Sequence, residues 1–279
     1  MGDIVWLASY PKSGNTWART FLHNLFVNRD QPADLAELKK FPLGDGSKIW
    51  FERASGKKIA ELSEADITAL IPKVHRLYTR TRPDTVFVKT HSAVRLIDGV
   101  PLITPNVTAG ALYFIRNPLD ISLSFADHFG LSIDETIERM NDPDTATAES
   151  EDKVREYIGS WSNHAKSWLS DSNKSRVHVM RYEDMLYKPE KTFGAMAKYL
   201  GVRPTRERLK KAIRFSSFKV SRKLEEEKGF SEKSGDSQRF FRVGKAGQWK
   251  TQLSPAQVER IIEANYDMMK QFKYLPPKR

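Results

Sequence analysis

Residues 9–17 combine a lysine, a glycine and several hydroxyl and amide side chains within one short stretch. They follow the apolar run 4–8, which predicts a buried strand, and they precede residues 18–26, where apolar side chains recur at helical spacing. A tight loop between a strand and a helix is surrounded by unpaired backbone N–H groups and by the positive end of the helix dipole. Lys12 adds a full positive charge, and Gly14 allows close approach of the backbone. The loop therefore predicts an anion-binding site.

Two further predicted strands end in basic side chains. The strand predicted over 85–91 carries Lys89 and His91 at its end, and the one over 111–115 runs directly into Arg116. Buried strands that alternate with amphipathic helices predict a mostly parallel sheet, whose ligands bind beyond the carboxyl ends of the strands. We therefore expect these basic groups to converge with the loop lysine at one edge of the sheet, where they would suit a polyanionic ligand.

The remaining pattern predicts a three-layer α/β/α fold in a single domain over residues 1–279. A fourth strand is predicted over 176–182, and another helix carries its apolar residues at helical spacing from 154 to 168. Three helix starts are signalled by capping residues or by a proline in the first turn, at Asn117, Pro189 and Ser254.

Several stretches have weaker patterns. Residues 30–60 predict an irregular loop that carries aromatic side chains, and a short helix that begins near Ser63 is expected to be limited by Pro72. Residues 132–152 are acidic and rich in turn residues, and their acidic run 149–152 predicts a solvated face. Residues 222–248 are charged and poor in apolar side chains, which is typical of a mobile segment.

The composition excludes several classes of site. The chain has 279 residues, a formal net charge of +11 and no cysteine, so disulfides, thiolate metal sites and cysteine nucleophiles are excluded. The first residues lack the pattern of a signal peptide, and no apolar stretch reaches the length of a membrane span, so we expect a cytoplasmic protein that does not bind a membrane. The positive charge alone leaves open a nucleic-acid partner, an anionic surface or a polyanionic small molecule.

The loop at 9–17 is not a Walker A motif, because Lys12 precedes Gly14 instead of following the second glycine. Its sequence Tyr-Pro-Lys-Ser-Gly-Asn-Thr-Trp, over residues 10–17, resembles the 5′-phosphosulfate loop of the sulfotransferases that use 3′-phosphoadenosine 5′-phosphosulfate (PAPS). The usual form of that loop is Tyr-Pro-Lys-Ser-Gly-Thr-Thr-Trp, so this chain departs from it at Asn15, which can still donate a hydrogen bond.

Further elements of the same family follow in the expected order. Residues 113–120 resemble its 3′-phosphate motif, in which Arg116 and Ser124 correspond to the residues that hold the 3′-phosphate. Residues 242–250 are similar to its late Arg-Lys-Gly-x-x-Gly-Asp-Trp-Lys segment, with Val243 in place of the lysine and Gln248 in place of the aspartate, which puts one cofactor contact in doubt. Other positions match the family's adenine and phosphate contacts, namely Tyr182, Ser216 and Phe218.

The resemblance implies a P-loop-like sheet and transfer of a sulfuryl group from PAPS to a hydroxyl or, less probably, an amine, without a metal. Four residues correspond to the family's catalytic groups. Lys12 would stabilise the bridging oxygen of the leaving nucleotide, Lys89 would face the transferring group, His91 would be the general base, and Ser124 would restrain the loop lysine until the acceptor binds. The cofactor-binding residues implied are Lys12, Ser13, Gly14, Asn15, Thr16, Trp17, Arg116, Ser124, Tyr182, Ser216, Phe218, Arg242 and Gly244.

The acceptor is expected to be a small apolar or aromatic molecule. Four stretches are expected to line its pocket, and they span 41–51, 92–98, 127–142 and part of 222–241. The aromatic residues behind this expectation are Phe41, Trp50, Phe51, Phe125 and Phe129. His128 is a further candidate for the acceptor pocket, and the pattern leaves the oligomeric state open.

Two other functions compete with sulfuryl transfer. A P-loop nucleotide kinase needs the same strand, loop and helix, but it also needs carboxylate ligands for Mg²⁺, and only Glu183-Asp184 ends a predicted strand in that way. A nucleic-acid-binding protein would place its basic residues in continuous patches with interleaved aromatic side chains. The basic residues here stand singly at strand ends instead, which disfavours that class.

Overall fold

A five-stranded parallel sheet forms the centre of the protein in the computed structural model, which describes residues 2–233, 235, 237 and 239–277. In chain order the strands are β1 (Ile4–Ser9), β2 (Leu43–Gly44), β3 (Val86–Thr90), β4 (Leu96–Ile97), β5 (Val100–Pro101), β6 (Thr108–Ile115) and β7 (Val177–Arg181). The central sheet has the order β2-β3-β1-β6-β7, while β4 and β5 form a separate antiparallel pair.

Helices cover both faces of this sheet. In chain order they are α1 (Asn15–Val27), α2 (Lys48–Ser55), α3 (Glu64–Tyr78), α4 (Pro118–Phe129), α5 (Ile133–Asn141), α6 (Trp161–Trp168), α7 (Tyr182–Tyr187), α8 (Pro189–Tyr199), α9 (Arg206–Phe215), α10 (Phe218–Lys228), α11 (Trp249–Gln252) and α12 (Pro255–Gln271). Side chains alternate along β1, so Trp6 packs into a core cluster that includes residues of α3–α6 and α12, and Leu7 packs into one that includes residues of α1, α8 and α9. The three-layer α/β/α prediction is confirmed.

The strand register brings the carboxyl ends of the central strands together. Ala8 of β1 pairs with Thr90 of β3, and Ser9 pairs with Phe114 of β6. On the far side of β6, Ile115 pairs with Arg181 of β7. The chain therefore leaves four neighbouring strands at one edge of the sheet, which is where ligands of parallel sheets bind.

The capping signals in the sequence locate several helix starts correctly. The Asn117 side chain accepts a hydrogen bond from the Leu119 amide, with Pro118 at the first position of α4. Ser254 and Gln257 form a capping box at the start of α12, and Pro189 begins α8. Each of these residues satisfies, or removes, an N–H group that the first helical turn would otherwise leave unpaired.

Helical structure also occurs where none or less was expected. Residues 30–60 include α2, and α3 continues past Pro72 to Tyr78. Val74, His75 and Tyr78 are buried on the last turns of α3. The burial of these side chains offsets the hydrogen bond that the proline removes, so the expected stop at Pro72 is wrong.

The region between α4 and α6 also differs from its prediction. Residues 133–141 form α5, whereas the helix expected from 154 to 168 begins only at Trp161. Gly159 has φ 69°, and Ser160 then caps α6 by accepting from the Asn163 amide. The preceding residues 145–158 form an irregular hairpin, which is hereafter called the 145–158 hairpin. Its arms are joined by backbone hydrogen bonds between Thr147 and Glu156 and between Ile158 and Thr145.

The segment expected to be mobile is partly helical. Phe218 begins α10, and the described residues of the following stretch, 229–233, 235, 237 and 239–248, contain no helix or strand. We call residues 229–248 the late segment. Within the described part of the chain, no helix has the length and apolar character needed to cross a membrane.

One stability prediction follows from the packing of α8 against α1. Phe193 is fully buried, stacks on Phe21 with ring centroids 4.3 Å apart and meets Trp17 edge to face. Phe193→Ala should lower the free energy of unfolding by about 3 kcal/mol, because it leaves a cavity between the two helices. Urea denaturation measures this change. Tyr187→Ala, at a side chain that is 67% exposed, should change it by less than about 0.5 kcal/mol, and equal losses would contradict the assignment.

Candidate active site

A cavity of about 480 Å³ lies at the carboxyl edge of the central sheet. Fourteen of the fifteen residues proposed from the sequence line it: Lys12, Gly14, Asn15, Thr16, Trp17, Lys89, His91, Arg116, Ser124, Tyr182, Ser216, Phe218, Arg242 and Gly244. The exception is Ser13, whose side chain is fully buried behind the loop. Residues that are as much as 232 positions apart in the sequence therefore share one cavity.

The loop that follows β1 is shaped to surround an anion. Lys12 and Gly14 both have positive φ, at 66° and 99°. Left-handed residues within a tight loop turn successive backbone N–H groups toward the same point, and that arrangement binds anions. A Cβ on Gly14 would lie 2.9 Å from the Tyr182 ring, so glycine is needed for both its conformation and its space.

Asn15 has a structural role at the point where the loop departs from the family pattern. Its side-chain amide donates to the Leu7 carbonyl and to Ser9 Oγ, at 2.8 and 3.1 Å. The donor groups of this side chain are thus directed at β1, and the residue holds the loop against the strand. Ser13 Oγ is buried and has no hydrogen-bond partner among the described residues.

Lys12 projects its ammonium into the cavity. The nitrogen lies 4.3 Å from the centroid of the Phe240 ring, which is a cation–π contact. Burial, followed by the positive charge of Arg116, lowers the pKa of Lys12 to about 8. Ser124 lines the same cavity, but no hydrogen bond joins it to Lys12 within the described ranges, where the ammonium meets Phe240 instead.

Arg116 connects the loop after β1 with residues 242–250 at the cavity. Its guanidinium donates to the Lys12 carbonyl at 3.1 Å and to the Lys245 carbonyl at 3.4 Å, and it lies 4.3 Å from the Tyr182 ring centroid. Its Nε is buried without a partner in the described part of the protein. The planar fork is therefore fixed in place, and Nε is among the donors left for a ligand.

Carboxylates of α4 hold the late segment over the cavity. Asp120 accepts hydrogen bonds from the backbone amides of Gly247 and Trp249, at 2.6 and 3.2 Å. Asp127 lies 3.8 Å from the Arg242 guanidinium. Gly244 has φ 66°, and a side chain there would overlap the Phe218 ring. The glycine of this motif therefore allows the backbone to lie directly on that aromatic ring.

His91 is fixed in the form that a general base requires. Its Nδ1 lies 2.7 Å from the Ser9 carbonyl oxygen, which can only accept, so Nδ1 carries the proton and Nε2 of the neutral ring has the free lone pair. Burial and the neighbouring Lys89 charge lower the pKa of His91 well below its usual value. The imidazole is therefore neutral, and ready to accept a proton, at neutral pH.

Two buried groups hold the backbone of His91. Its amide donates to Glu156 Oε1 at 2.8 Å, and its carbonyl lies 3.1 Å from His164 Nε2. The other ring nitrogen of His164 lies 2.9 Å from the Tyr113 hydroxyl, and burial lowers the pKa of His164 to about 3. His164 thus has a structural role, since it extends from α6 to hold the residue after β3.

The aromatic residues expected around the acceptor lie mostly elsewhere. Phe41 packs on Phe26 and Phe87, and Trp50 packs edge to face on Tyr78. Phe51 and Phe125 are buried in the core. Of the five, only Phe129 lines the cavity, and the stretches 41–51 and 92–98 contribute nothing to its wall. The aromatic side chains of 41–51 pack against the hydrophobic core, and 92–98 contains none, so the part of these two stretches in an acceptor pocket stays a prediction.

Several residues of the cavity had no signal in the sequence. Lys153 and Glu156 come from the 145–158 hairpin, and Glu149 lies in the acidic run that was expected to be solvated. Glu232 comes from the late segment, and its carboxylate meets Arg19 of α1. Arg19 and Glu232 are separated by 213 positions, so only the folded chain reveals that they form a pair.

The position of the late segment provides a test of this site. Asp120→Ala removes the acceptor for two backbone amides, so hydrogen exchange at Gly247 and Trp249 should become at least about tenfold faster, which corresponds to ~1.4 kcal/mol of lost protection. Exchange would be followed by NMR or by mass spectrometry of peptides. Asp267→Ala, on the exposed face of α12, is the matched control. Unchanged exchange in the Asp120 variant would show that the carboxylate does not anchor the segment.

The family model described as "Sulfotransferase domain" matches residues 3–273. Mouse sulfotransferase 1 family member D1 is 26% identical over 94% of this chain and 81% of its own length. Guinea pig 3-beta-hydroxysteroid sulfotransferase is 25% identical over 97% of this chain and 84% of its length. A crystal structure of a mouse sulfotransferase complexed with PAP (adenosine 3′,5′-bisphosphate) has a TM-score of 0.59 and 21% sequence identity. The match covers 96% of this chain and 85% of that one. The match over nearly the whole chain shows that the protein belongs to the sulfotransferase family and is a sulfotransferase enzyme.

Proposed function

We propose that this sulfotransferase takes its sulfuryl group from PAPS and transfers it to the hydroxyl of a small molecule. The observation that carries the proposal is the convergence of three separate motifs, at 10–17, 113–124 and 242–250, on one cavity. Together they bring Lys12, Arg116 and Arg242 to its wall, which suits a ligand with more than one phosphate or sulfate group.

The buried polar atoms of the cavity fit such a nucleotide. Trp17 Nε1 and Arg116 Nε are both buried, and neither has a hydrogen-bond partner among the described residues. Burying a donor without a partner is unfavourable, so a ligand that accepts hydrogen bonds here would offset that cost. Trp17 and Tyr182 meet edge to face, and Phe218 lines the same cavity, which supplies aromatic surface for an adenine ring.

Residues of this chain can assist each part of the transfer. When bound, PAPS supplies the sulfuryl group, whose bond to the nucleotide oxygen breaks as a bond to the acceptor oxygen forms. His91 Nε2 would take the proton of the acceptor hydroxyl, and the Lys12 ammonium would stabilise charge on the departing oxygen. Lys89 would face the group in transit. Both lysines have their pKa lowered to about 8, chiefly by burial, so a bound anion would favour their charged forms.

The walls beyond His91 suit an acceptor with one apolar face and one polar end. Phe129 and Phe240 provide the apolar surface, while the 145–158 hairpin contributes Lys153 and Glu156. The guinea pig relative is named for a hydroxysteroid. We infer that the acceptor of this chain also carries its hydroxyl on a largely apolar or aromatic frame, but that it has a polar group as well.

The structure gives one observation against a kinase. Glu183 belongs to the only Walker B-like strand end in the sequence, yet its carboxylate accepts from the Asn117 amide at 3.0 Å and from the Tyr274 hydroxyl at 2.8 Å. Both carboxylate oxygens thus hold α4 and the chain after α12 in place. A carboxylate with these two partners is poorly placed to bind Mg²⁺ through water or directly.

The nucleotide assignment is tested with adenosine 3′,5′-bisphosphate (PAP) in the absence of Mg²⁺. PAP should raise the melting temperature, and Arg116→Ala should weaken PAP binding by about 10- to 100-fold in calorimetry, because a charged hydrogen bond is lost. Arg29→Ala, which removes an exposed arginine at the end of α1, should leave the affinity unchanged. Stabilisation by ATP with Mg²⁺ but not by PAP would contradict the proposal.

The base assignment makes a separate prediction. His91→Ala should lower kcat for a phenolic acceptor by at least about 100-fold, because no other group would take the acceptor proton. The PAP dissociation constant should change by less than about threefold, since the ring is hydrogen-bonded to Ser9 and not required for nucleotide binding. His178→Ala, at a half-buried ring stacked on Tyr199, is the control. A kcat near that of the unmodified enzyme would exclude the general-base role.

A further inference from the structure

An arginine is buried on the first helix, one turn after the anion loop. The Arg19 side chain is only 2% exposed, and its terminal nitrogen donates to both oxygens of Glu232, at 2.8 and 2.6 Å. The same nitrogen donates to Thr16 Oγ1 at 3.0 Å. A buried guanidinium requires an anion nearby, and the late segment supplies that anion across the cavity.

Glu232 has more than one cationic neighbour. Besides Arg19, its Oε2 accepts from the Thr16 hydroxyl at 3.2 Å and lies 3.7 Å from Lys89 Nζ. Burial alone would raise the pKa of Glu232, but Arg19 and Lys89 hold it well below its usual range. The carboxylate is therefore ionised at every pH at which the enzyme would be assayed.

The separation between Glu232 and Lys89 leaves the lysine able to act on a ligand. At 3.7 Å the two groups attract each other as an ion pair, but they are too far apart for a hydrogen bond. Among the described residues no hydrogen bond uses the N–H donors of the ammonium, so they can bind another acceptor. The lysine side chain is 16% exposed and lines the cavity close to His91, so those donors can reach a group held between the two residues.

The charge of Lys89 depends on a balance among its neighbours. Burial lowers its pKa to about 8, the carboxylates of Glu232 and Glu156 oppose that effect, and Arg19 and Lys153 add to it. Lys12, His91 and His128 line the same cavity as Lys89, and the Lys89 charge adds to the effect of burial in lowering their pKa values. Glu232 is the only one of these groups in the described part of the chain that forms an ion pair with the Lys89 ammonium within 4.0 Å.

We propose that Glu232 is a positioning residue. Arg19 and Thr16 hold its carboxylate, and this carboxylate aligns the Lys89 ammonium with the sulfuryl group in transit and keeps the ammonium charged. The proposal rests on the proposed function for the role of Lys89. The role of Glu232 differs from that of a residue that binds the cofactor, because Glu232 is an anion and would affect the transfer only through Lys89. It also gives Arg19 a role, since that residue fixes the carboxylate from beneath the loop.

The first test measures Lys89 itself and does not require turnover. The reactivity of each lysine toward acetic anhydride, read by mass spectrometry between pH 6 and 10, gives the pKa of Lys89 in the unmodified protein. In Glu232→Gln that pKa should fall by about one pH unit, which corresponds to ~1.4 kcal/mol, because the favourable charge is removed. Glutamine can still accept from Arg19, so the fold should be kept. Glu227→Gln, on the exposed end of α10, should leave the Lys89 titration unchanged.

The second test uses the reaction. With Glu232→Gln, kcat should fall by about tenfold at pH 8.5 and the alkaline limb of the pH profile should move to lower pH, because Lys89 loses its proton earlier. Glu232→Asp should recover part of both effects, which a merely structural role would not predict. An unchanged Lys89 titration would overturn the proposal. A tighter PAP complex with an unchanged pH profile would also overturn it and would show that the carboxylate competes with the nucleotide. Absence of PAPS turnover in the unmodified enzyme would instead count against the proposed function and leave the labelling result intact.

Discussion

The rest of the site depends on the repulsion among positive charges that the sheet brings to one edge. Lys12 and Arg116 follow β1 and β6, Lys89 lies near the end of the neighbouring strand β3, and Arg19 lies one turn along the helix after the loop. Burial lowers the pKa of both lysines to about 8, and the repulsion among these cations, which is stronger in a partly dehydrated cavity, adds to that effect. An anion in the cavity removes the cost of that arrangement. The folded chain therefore favours anionic ligands, and the binding of an anion does not require any rearrangement of the cationic side chains.

Carboxylates hold the segment that closes this cavity, in addition to the packing of Phe230, Phe240 and Phe241 in a small apolar cluster. Glu225 accepts from the amides of Phe240 and Phe241, at 2.6 and 2.9 Å, and Asp120 accepts from two amides further along. Bonds between a carboxylate and backbone amides need no hydrophobic periodicity, so they leave no regular pattern in a sequence. For this reason the composition of the late segment suggests mobility. The same bonds explain how Phe240 reaches the Lys12 ammonium although few apolar residues surround it in the sequence.

Short sequence patterns predicted the parts of the fold that depend on residues close to each other in the chain. Apolar runs located four of the five strands of the central sheet but not the short β2, and caps such as Asn117 located helix starts to within a residue. Pro72 and the run 154–158 were misread because packing overrides propensity: α3 continues where its last turn is buried, and Val154 is buried without being helical. The pairing of Arg19 with Glu232 could not be predicted at all. It joins residues 213 positions apart, and neither has a neighbour in the sequence that indicates the partner.

Ser9 links the anion loop to His91, the proposed base, more directly than either motif suggests. It is the last residue of β1, its carbonyl oxygen accepts from Nδ1 of His91, and its hydroxyl accepts from the Asn15 amide. The tautomer of the base is therefore set by the strand that carries the loop. A shift of one residue in the β1–β3 register would point the Ser9 carbonyl away from the ring and would turn the buried side chains of β1 to the wrong face. The packing of Trp6 and Leu7 in the core therefore also fixes the position of the Ser9 carbonyl relative to the His91 ring. The hydrophobic core and the orientation of this imidazole are set together by the register of β1 and β3.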